Sequence, residues 1–252
     1  MQLIKQKKKI IKYPNKNTSD AILDFLVSKG VKKVFLLTGG AIAFTVDAFS
    51  KRKDISYICV QHEQAAAMMA DAYARVNNSY AATMVTSGPG ATNLITGIAC
   101  SYFDSVANIH ITGQVNLLEQ RGGMPNTKDS RQIGFQETDI LSMFKPITKF
   151  SIMITDPNSI NYYLEKAYDI CKSGRPGPVF IDIPADMQNA KIDEKKILKF
   201  KYKSPKKKYS IDKKISEIIK KLKQSKRPLI HIGHGVKLSN AKELARNFFN
   251  KF

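Results

Sequence analysis

Residues 81–112 read AATMVTSGPGATNLITGIACSYFDSVANIHIT, and this stretch decides the fold. A short apolar run, Ala81 to Thr86, breaks at Ser87-Gly88-Pro89-Gly90. A helical stretch follows from Ala91 to Tyr102, then a second β-rich run from Ala107 to Thr112. Two strands joined through a helix are parallel neighbours, because a tight hairpin cannot connect them. The same alternation extends outward in both directions. Val34 to Leu37, Ile55 to Val60 and Val179 to Ile183 read as further strands; Ala41 to Phe49, Gln64 to Val76 and Asn158 to Lys172 read as helices. Strands apolar nearly throughout and spaced by helices predict an α/β fold, a doubly wound parallel sheet covered on both faces.

Upstream, Asn17, Thr18 and Ser19 offer capping oxygens to a helix bearing Ile22, Leu23, Phe25 and Leu26. Downstream, residues 186–210 lose apolar periodicity, become Lys-rich and carry Ser204-Pro205, which reads as an exposed linker. Beyond it, a helix near Ile211 to Leu222, a strand Pro228 to Ile232, the turn Gly233-His234-Gly235 and a helix Ser239 to Phe249 make one βα step. One such step cannot bury its own apolar faces, so residues 211–252 read as the incomplete start of a second α/β domain. The expected organisation is a basic extension (1–16), the main domain (17–185), the linker (186–210) and that beginning.

The net charge of +20 raises the question of an anionic partner, and its location answers it. Residues 1–16 hold six Lys and no acid, residues 191–252 hold 20 basic against 5 acidic residues, and the body between holds 15 against 16. A neutral body with solvated Lys-rich ends, lacking aromatic interleaving, points to neither a nucleic-acid nor a membrane partner. No apolar run approaches the roughly 20 residues of a spanning helix. Cys59, Cys100 and Cys171 form no C-x-x-C pair and read as small buried hydrophobes, and no His lies at metal-ligand spacing, so no metal site is expected in these residues. A cytoplasmic protein is the expectation.

In an open α/β sheet the ligand crevice lies beyond the carboxyl ends of the strands. Three turns occupy that position: Thr38-Gly39-Gly40, His62-Glu63-Gln64 and Ser87-Gly88-Pro89-Gly90. The glycines allow close approach to a ligand, yet a tight strand-to-helix turn needs glycine whatever its function. Glu63 begins a helix, where unpaired N–H groups favour a carboxylate, and a first-turn Glu is also an ordinary structural feature. His62 reads equally as a packed or surface residue, and Met68, Met69 and Tyr73 fall on the expected core face.

The combination resembles a known family. Thr38-Gly39-Gly40-Ala41, His62-Glu63-Gln64-Ala65-Ala66, Thr86 to Asn93, Thr112-Gly113-Gln114-Val115, Phe135-Gln136-Glu137, Lys145 to Lys149 and Ser173 to Val179 occur in order. Together they resemble the N-terminal pyrimidine-binding domain of thiamine-diphosphate enzymes of the acetolactate-synthase-like group. The resemblance implies a carboligase or decarboxylase, a transferase or lyase, acting on a 2-keto acid. Glu63 would be catalytic, bonded to a ring nitrogen of the cofactor's aminopyrimidine and favouring the imino tautomer that takes the thiazolium proton. It further implies Gly39, Gly40, Gly88, Pro89, Gly90, Asn93 and Gln114 as cofactor-binding, Phe135, Gln136 and Lys149 as the substrate pocket, and Arg175 as a contact to FAD. The implied cofactors are thiamine diphosphate, Mg²⁺ and FAD. The implied partners are a second copy, as a homodimer, or a separate diphosphate-binding domain.

Two departures qualify the transfer. The polar loop Asn116 to Gly134 is longer than in acetolactate synthases, resembles thiamine-diphosphate enzymes of surface-polysaccharide sugar pathways, and reads as a mobile rim that selects substrate. The family's Gly-Asp-Gly motif, which holds Mg²⁺ and the diphosphate, does not occur in the 252 residues, so the chain is expected to be inactive alone. A non-catalytic pyrimidine-domain subunit or remnant is therefore the alternative to an enzyme.

Overall fold

Asn17 opens helix α1 (Thr18–Ser28): its side-chain oxygen accepts from the Asp20 amide at 2.9 Å, satisfying one of the free N–H groups of the first turn. Ile22, Leu23, Phe25 and Leu26 are buried, and each contributes roughly 1.5–3 kcal/mol on leaving water. The computed structural model describes residues 16–201 and 211–250. The expected basic extension, Lys16 excepted, and residues 202–210 of the expected linker lie outside the described residues. The chain divides into two compact units, 1–201 and 202–252.

The first unit contains strands β1 (Lys33–Leu36), β2 (Ser56–Cys59), β3 (Ala81–Val85), β4 (Asn108–Gln114), β5 (Phe150–Met153) and β6 (Val179–Pro184). They form one sheet in the order β2-β1-β3-β4-β6-β5, with every pairing parallel. Helices α2 (Ala43–Phe49), α3 (Glu63–Asn77), α4 (Pro89–Thr92), α5 (Ile95–Phe103), α6 (Ile140–Phe144), α7 (Ile160–Lys172) and α8 (Ala185–Asn189) complete the unit. The expected α/β doubly wound parallel sheet is therefore present.

Successive strand residues point to opposite faces and sort the core in two. Val34 and Leu36, Ala82 and Met84, Ile109 and Ile111, and Val179, Ile181 and Ile183 pack with α1, α2 and α7. Phe35, Val85 and Phe180 turn the other way, toward α3, α5 and α6. On that second face β4 is polar: Asn108, His110, Thr112 and Gln114 alternate with its apolar residues, and all are buried. Thr83 Oγ1 lies 2.8 Å from His110 Nδ1, Thr112 Oγ1 donates to Asp182 Oδ1 at 2.7 Å, and Asn108 Nδ2 donates to Ser101 Oγ at 3.0 Å.

Several expectations are corrected. β5 (Phe150-Ser151-Ile152-Met153) is a sixth strand, a half-buried run of only four residues at the sheet edge. The helix expected over Ala91 to Tyr102 is two helices, α4 and α5. Edge strand β2 is largely exposed, Cys59 with it, and Cys100 on α5 is also exposed; Cys171 is buried as expected, with its thiol pushed up to about 12 by burial. Met68 and Met69 face outward, because Ala66, Ala67, Ala70 and Ala74 form the buried side of α3. The packed chain also runs past Pro184 into the expected linker. Gln188 of α8 is fully buried, accepting from Thr45 and donating to the Ala41 and Ile183 carbonyls; Ile192 joins the core, and Asn17 bridges to Lys191.

In the second unit the described residues form α9 (Asp212–Gln224), α10 (Gly235–Leu238) and α11 (Lys242–Phe249). The strand expected at Pro228 to Ile232 is not formed, and the described residues of this unit hold no second strand to pair with it. Among the described residues no helix is long and apolar enough to cross a membrane.

The polar row makes a prediction about pH. Burial pushes His110 down from 6.5 to about 3 and Asp182 up from 3.8 to about 7. Between about pH 4 and 6.5 the unfolded chain gains a proton at His110 that the folded chain lacks, and it lacks one at Asp182 that the folded chain keeps. The two slopes of stability against pH oppose each other. In Asp182→Asn only the His110 slope remains, so stability from urea unfolding should rise with pH more steeply than in the unmodified chain, by about 1.4 kcal/mol per unit. Equal slopes would show that Asp182 ionises as an ordinary carboxylate.

Candidate functional site

Strand order places β1 between β2 and β3, so the connection after β1 runs one way along the sheet and the one after β2 crosses back. That reversal opens a crevice at the carboxyl ends. The three glycine- and glutamate-bearing turns follow these three strands and meet there. His62 caps α3, its Nδ1 accepting from the Gln64 amide at 3.2 Å, which leaves Glu63 as the first residue of the helix. Glu63 stands at the helix N-terminus and is only 7% exposed.

Asn93 donates its side-chain N–H to Glu63 Oε2 at 2.8 Å. The other oxygen, Oε1, faces Gly90, where an added Cβ would stand 3.1 Å away and also 2.7 Å from Thr86 Cγ2. A Cβ on Gly39 would lie 2.5 Å from Thr86 Cβ. Thr86 is thus wedged between the two glycines, and together they form the cradle floor beside the carboxylate. Gly88 takes φ +57, and the space its Cβ would need is occupied by the Gln136 backbone. This contact seats the Phe135–Gln136 segment against the third turn. Gln136 is itself left-handed at φ +57, and Phe135 is 79% exposed.

Other candidates are placed elsewhere. The Gln114 amide is committed within the protein: Nε2 donates to Asp182 Oδ2 and the Thr138 carbonyl, each at 3.2 Å, and Oε1 accepts from the Val115 amide at 3.0 Å. Lys149 precedes β5 and Arg175 precedes β6, so both stand at the amino ends of the strands, away from Glu63. Lys149 Nζ donates to the Ile170 and Ser173 carbonyls at the end of α7, and burial lowers its pKa. Arg175 donates to Ser105 Oγ at 2.6 Å and to the Phe103 carbonyl at 2.9 Å, closing the end of α5. Neither joins the crevice within this chain.

The loop read as a mobile rim is stitched together. Gly134 N donates to the Glu119 carbonyl at 2.7 Å across its neck. Glu137 accepts from the Arg121 amide at 2.8 Å and the Ile133 amide at 3.0 Å, and pairs with Arg121 Nε at 3.3 Å. Glu137 and Asp182 carried no assigned role in the sequence reading; a lone acid inside the apolar run Val179 to Pro184 was the available signal for the second.

Residues 16–143 match the family profile described as thiamine pyrophosphate enzyme, N-terminal TPP binding domain. The chain is 40% identical over 229 residues to the probable acetolactate synthase large subunit of Methanocaldococcus jannaschii, covering 89% of this chain and 37% of that protein. It is 39% identical over 230 residues to the acetolactate synthase large subunit of Cyanidium caldarium (88% and 37%) and 35% identical over 238 residues to that of Lactococcus lactis (93% and 39%). The chain thus spans less than two fifths of the length of these relatives.

Two glycines of the crevice should respond differently to one added methyl. Gly88→Ala meets both a positive φ and the Gln136 backbone and should cost about 1–3 kcal/mol, lowering the melting temperature by about 3–10 °C. Gly40→Ala, in a short 3₁₀ turn with nothing within 4 Å of the new carbon, should leave it within about 2 °C. Equal melting temperatures for the two variants would contradict the seating of Gln136 on Gly88.

Proposed function

Because this chain belongs to the thiamine pyrophosphate enzymes and carries their N-terminal TPP-binding domain, we propose that it supplies the pyrimidine-side half of an acetolactate-synthase-like active site acting on a 2-keto acid. The observation that carries the proposal is the Glu63 carboxylate, buried at a helix N-terminus with one oxygen held by Asn93 and the other beside a floor kept clear by Gly90. Thiamine diphosphate, when bound, supplies a nucleophilic ring carbon and an electron sink for decarboxylation.

This chain's own residues are proposed to hold and tune the aminopyrimidine. Asn93 fixes the Glu63 rotamer, so Oε1 is the atom that shares a proton with a ring nitrogen. Burial excludes water from that hydrogen bond and strengthens it. The Gly39–Thr86–Gly90 floor lets a flat ring lie close to backbone, as the two glycines add no side chain to the small one of Thr86. The Gln136 backbone, seated on Gly88, puts the Phe135 ring at the exposed rim, where it is proposed to face substrate.

The Mg²⁺-bound diphosphate is proposed to sit against the other half of the active site, from further sequence or a second subunit. Apolar side chains exposed on α3 and α5, Met68, Met69, Tyr102 and Phe103, support a surface that such a partner covers. The proposed chemistry needs no flavin.

In the complete enzyme, Glu63→Gln should lower turnover of pyruvate by about 10²-fold or more, because the amide fills the same volume but cannot take part in the proton relay. The melting temperature should stay within about 2 °C, since Asn93 still finds an acceptor. Near-normal turnover would overturn the assignment.

A further inference from the structure

Gln188 on α8 is fully buried, where an apolar residue of the same length would fill the space without the cost of burying an amide. The amide is used to capacity. Oε1 accepts from the Thr45 amide at 3.3 Å and from the Thr45 hydroxyl at 3.1 Å, while Nε2 donates to the Ala41 carbonyl at 2.6 Å and the Ile183 carbonyl at 2.8 Å. Four bonds are all that a side-chain amide can make. They tie α8 to the end of β6 and to the chain on both sides of the start of α2. Ser19 Oγ of α1 in turn donates to the Gln188 carbonyl at 3.0 Å, which fixes the backbone that bears the amide.

Ala41 ends the turn Thr38-Gly39-Gly40-Ala41, the first of the three at the crevice. Two successive glycines leave that backbone with little conformational preference of its own, and a Cβ on Gly40 would meet nothing within 4 Å. Its position is set from behind. A Cβ on Gly113 of β4 would stand 1.9 Å from the Ala41 carbonyl oxygen, so the strand backs directly onto that group, and Gln188 Nε2 holds the same oxygen. On its other side the turn presses Gly39 against Thr86, the floor beside Glu63. A shift at Ala41 therefore moves the floor. We propose that Gln188 is a positioning residue for the cofactor cradle: it orients the Ala41 carbonyl, and through it Gly39 and Gly40, so that the turn is set before an aminopyrimidine arrives. The role rests on the proposed function, since the aminopyrimidine is what the turn receives.

The test is NMR of the isotope-labelled 252-residue chain with thiamine, which carries the aminopyrimidine without a diphosphate for exposed lysines to attract. Gln188→Met keeps the length of the side chain and removes its four bonds. The Ile42 amide donates to the Gly39 carbonyl at 3.2 Å across the turn. In Gln188→Met its hydrogen exchange, relative to that of the Ile111 amide in β4, should quicken about tenfold, and the Kd for thiamine should rise about tenfold. Leu164→Ala, a buried change on α7, is the control for lost stability and should leave both quantities within about twofold. In the unmodified chain the Gln188 side-chain amide resonances should shift on addition of thiamine with the same midpoint as the Gly40 amide, a reading that stands even if Gln188→Met does not fold. An unchanged exchange ratio or thiamine affinity in Gln188→Met, equal losses in Leu164→Ala, or a Gln188 side chain that stays silent while Gly40 responds would each overturn the proposal. If Gln188→Met loosens the turn but no resonance around Glu63 in the unmodified chain saturates with thiamine by about 50 mM, the proposed function fails, and the positioning role falls with it.

Discussion

All six strands run the same way, and the rest of the architecture depends on that constraint. A parallel sheet sends every carboxyl end to one edge and requires a helix between consecutive strands, so both faces become buried. Three short turns spread over about 50 residues of sequence are thereby collected in one crevice, without any direct bond among them being needed to bring them there. Reversal of strand order around β1 keeps the crevice open, because the helices after β1 and β2 leave to opposite faces.

The same constraint explains what was legible in the sequence. Alternation of apolar runs with Ala-rich helices gave the sheet, and strand-to-turn positions gave Glu63, Gly88 and Gly90 as crevice residues. Lys149 and Arg175 were carried by motif resemblance, and motif order does not record which end of a strand a residue precedes; the structure puts both at the amino ends. The outward side of α3 was misread because alanine and methionine are both apolar, and only the tight approach of α3 to α5 selects the smaller residue. Gly97 of α5 faces Ala67 of α3 with no room for a Cβ, which leaves Met68 and Met69 for the solvent side.

What stayed hidden is mostly polar and internal. β4 reads as a β-rich run in which Asn108, His110, Thr112 and Gln114 are easily passed over, although they face a buried layer of helices. Each finds one partner on a neighbouring strand or helix, Thr83 for His110, Ser101 for Asn108, Asp182 for Thr112 and Gln114, while Asn108 Oδ1 and His110 Nε2 are buried without one and keep part of the desolvation cost. Pairing of this kind depends on lateral strand register, which no local window of sequence contains. The loop 116–134 shows the same limit, since the acid that organises it, Glu137, lies beyond its end.

The wedge of Thr86 between Gly39 and Gly90 has a consequence for how such sequences can vary. The methyl and hydroxyl of Thr86 fill a volume that either glycine could otherwise fill with a Cβ, so the three positions share one allotment of space. A larger residue at position 39 or 90 is compatible with the cradle only alongside a smaller one at position 86. Substitutions there are therefore non-additive: the effect of the pair differs from the sum of the single changes. Across related chains the three sites should drift together or not at all, a coupling between segments 47 and 4 residues apart that arises from packing alone.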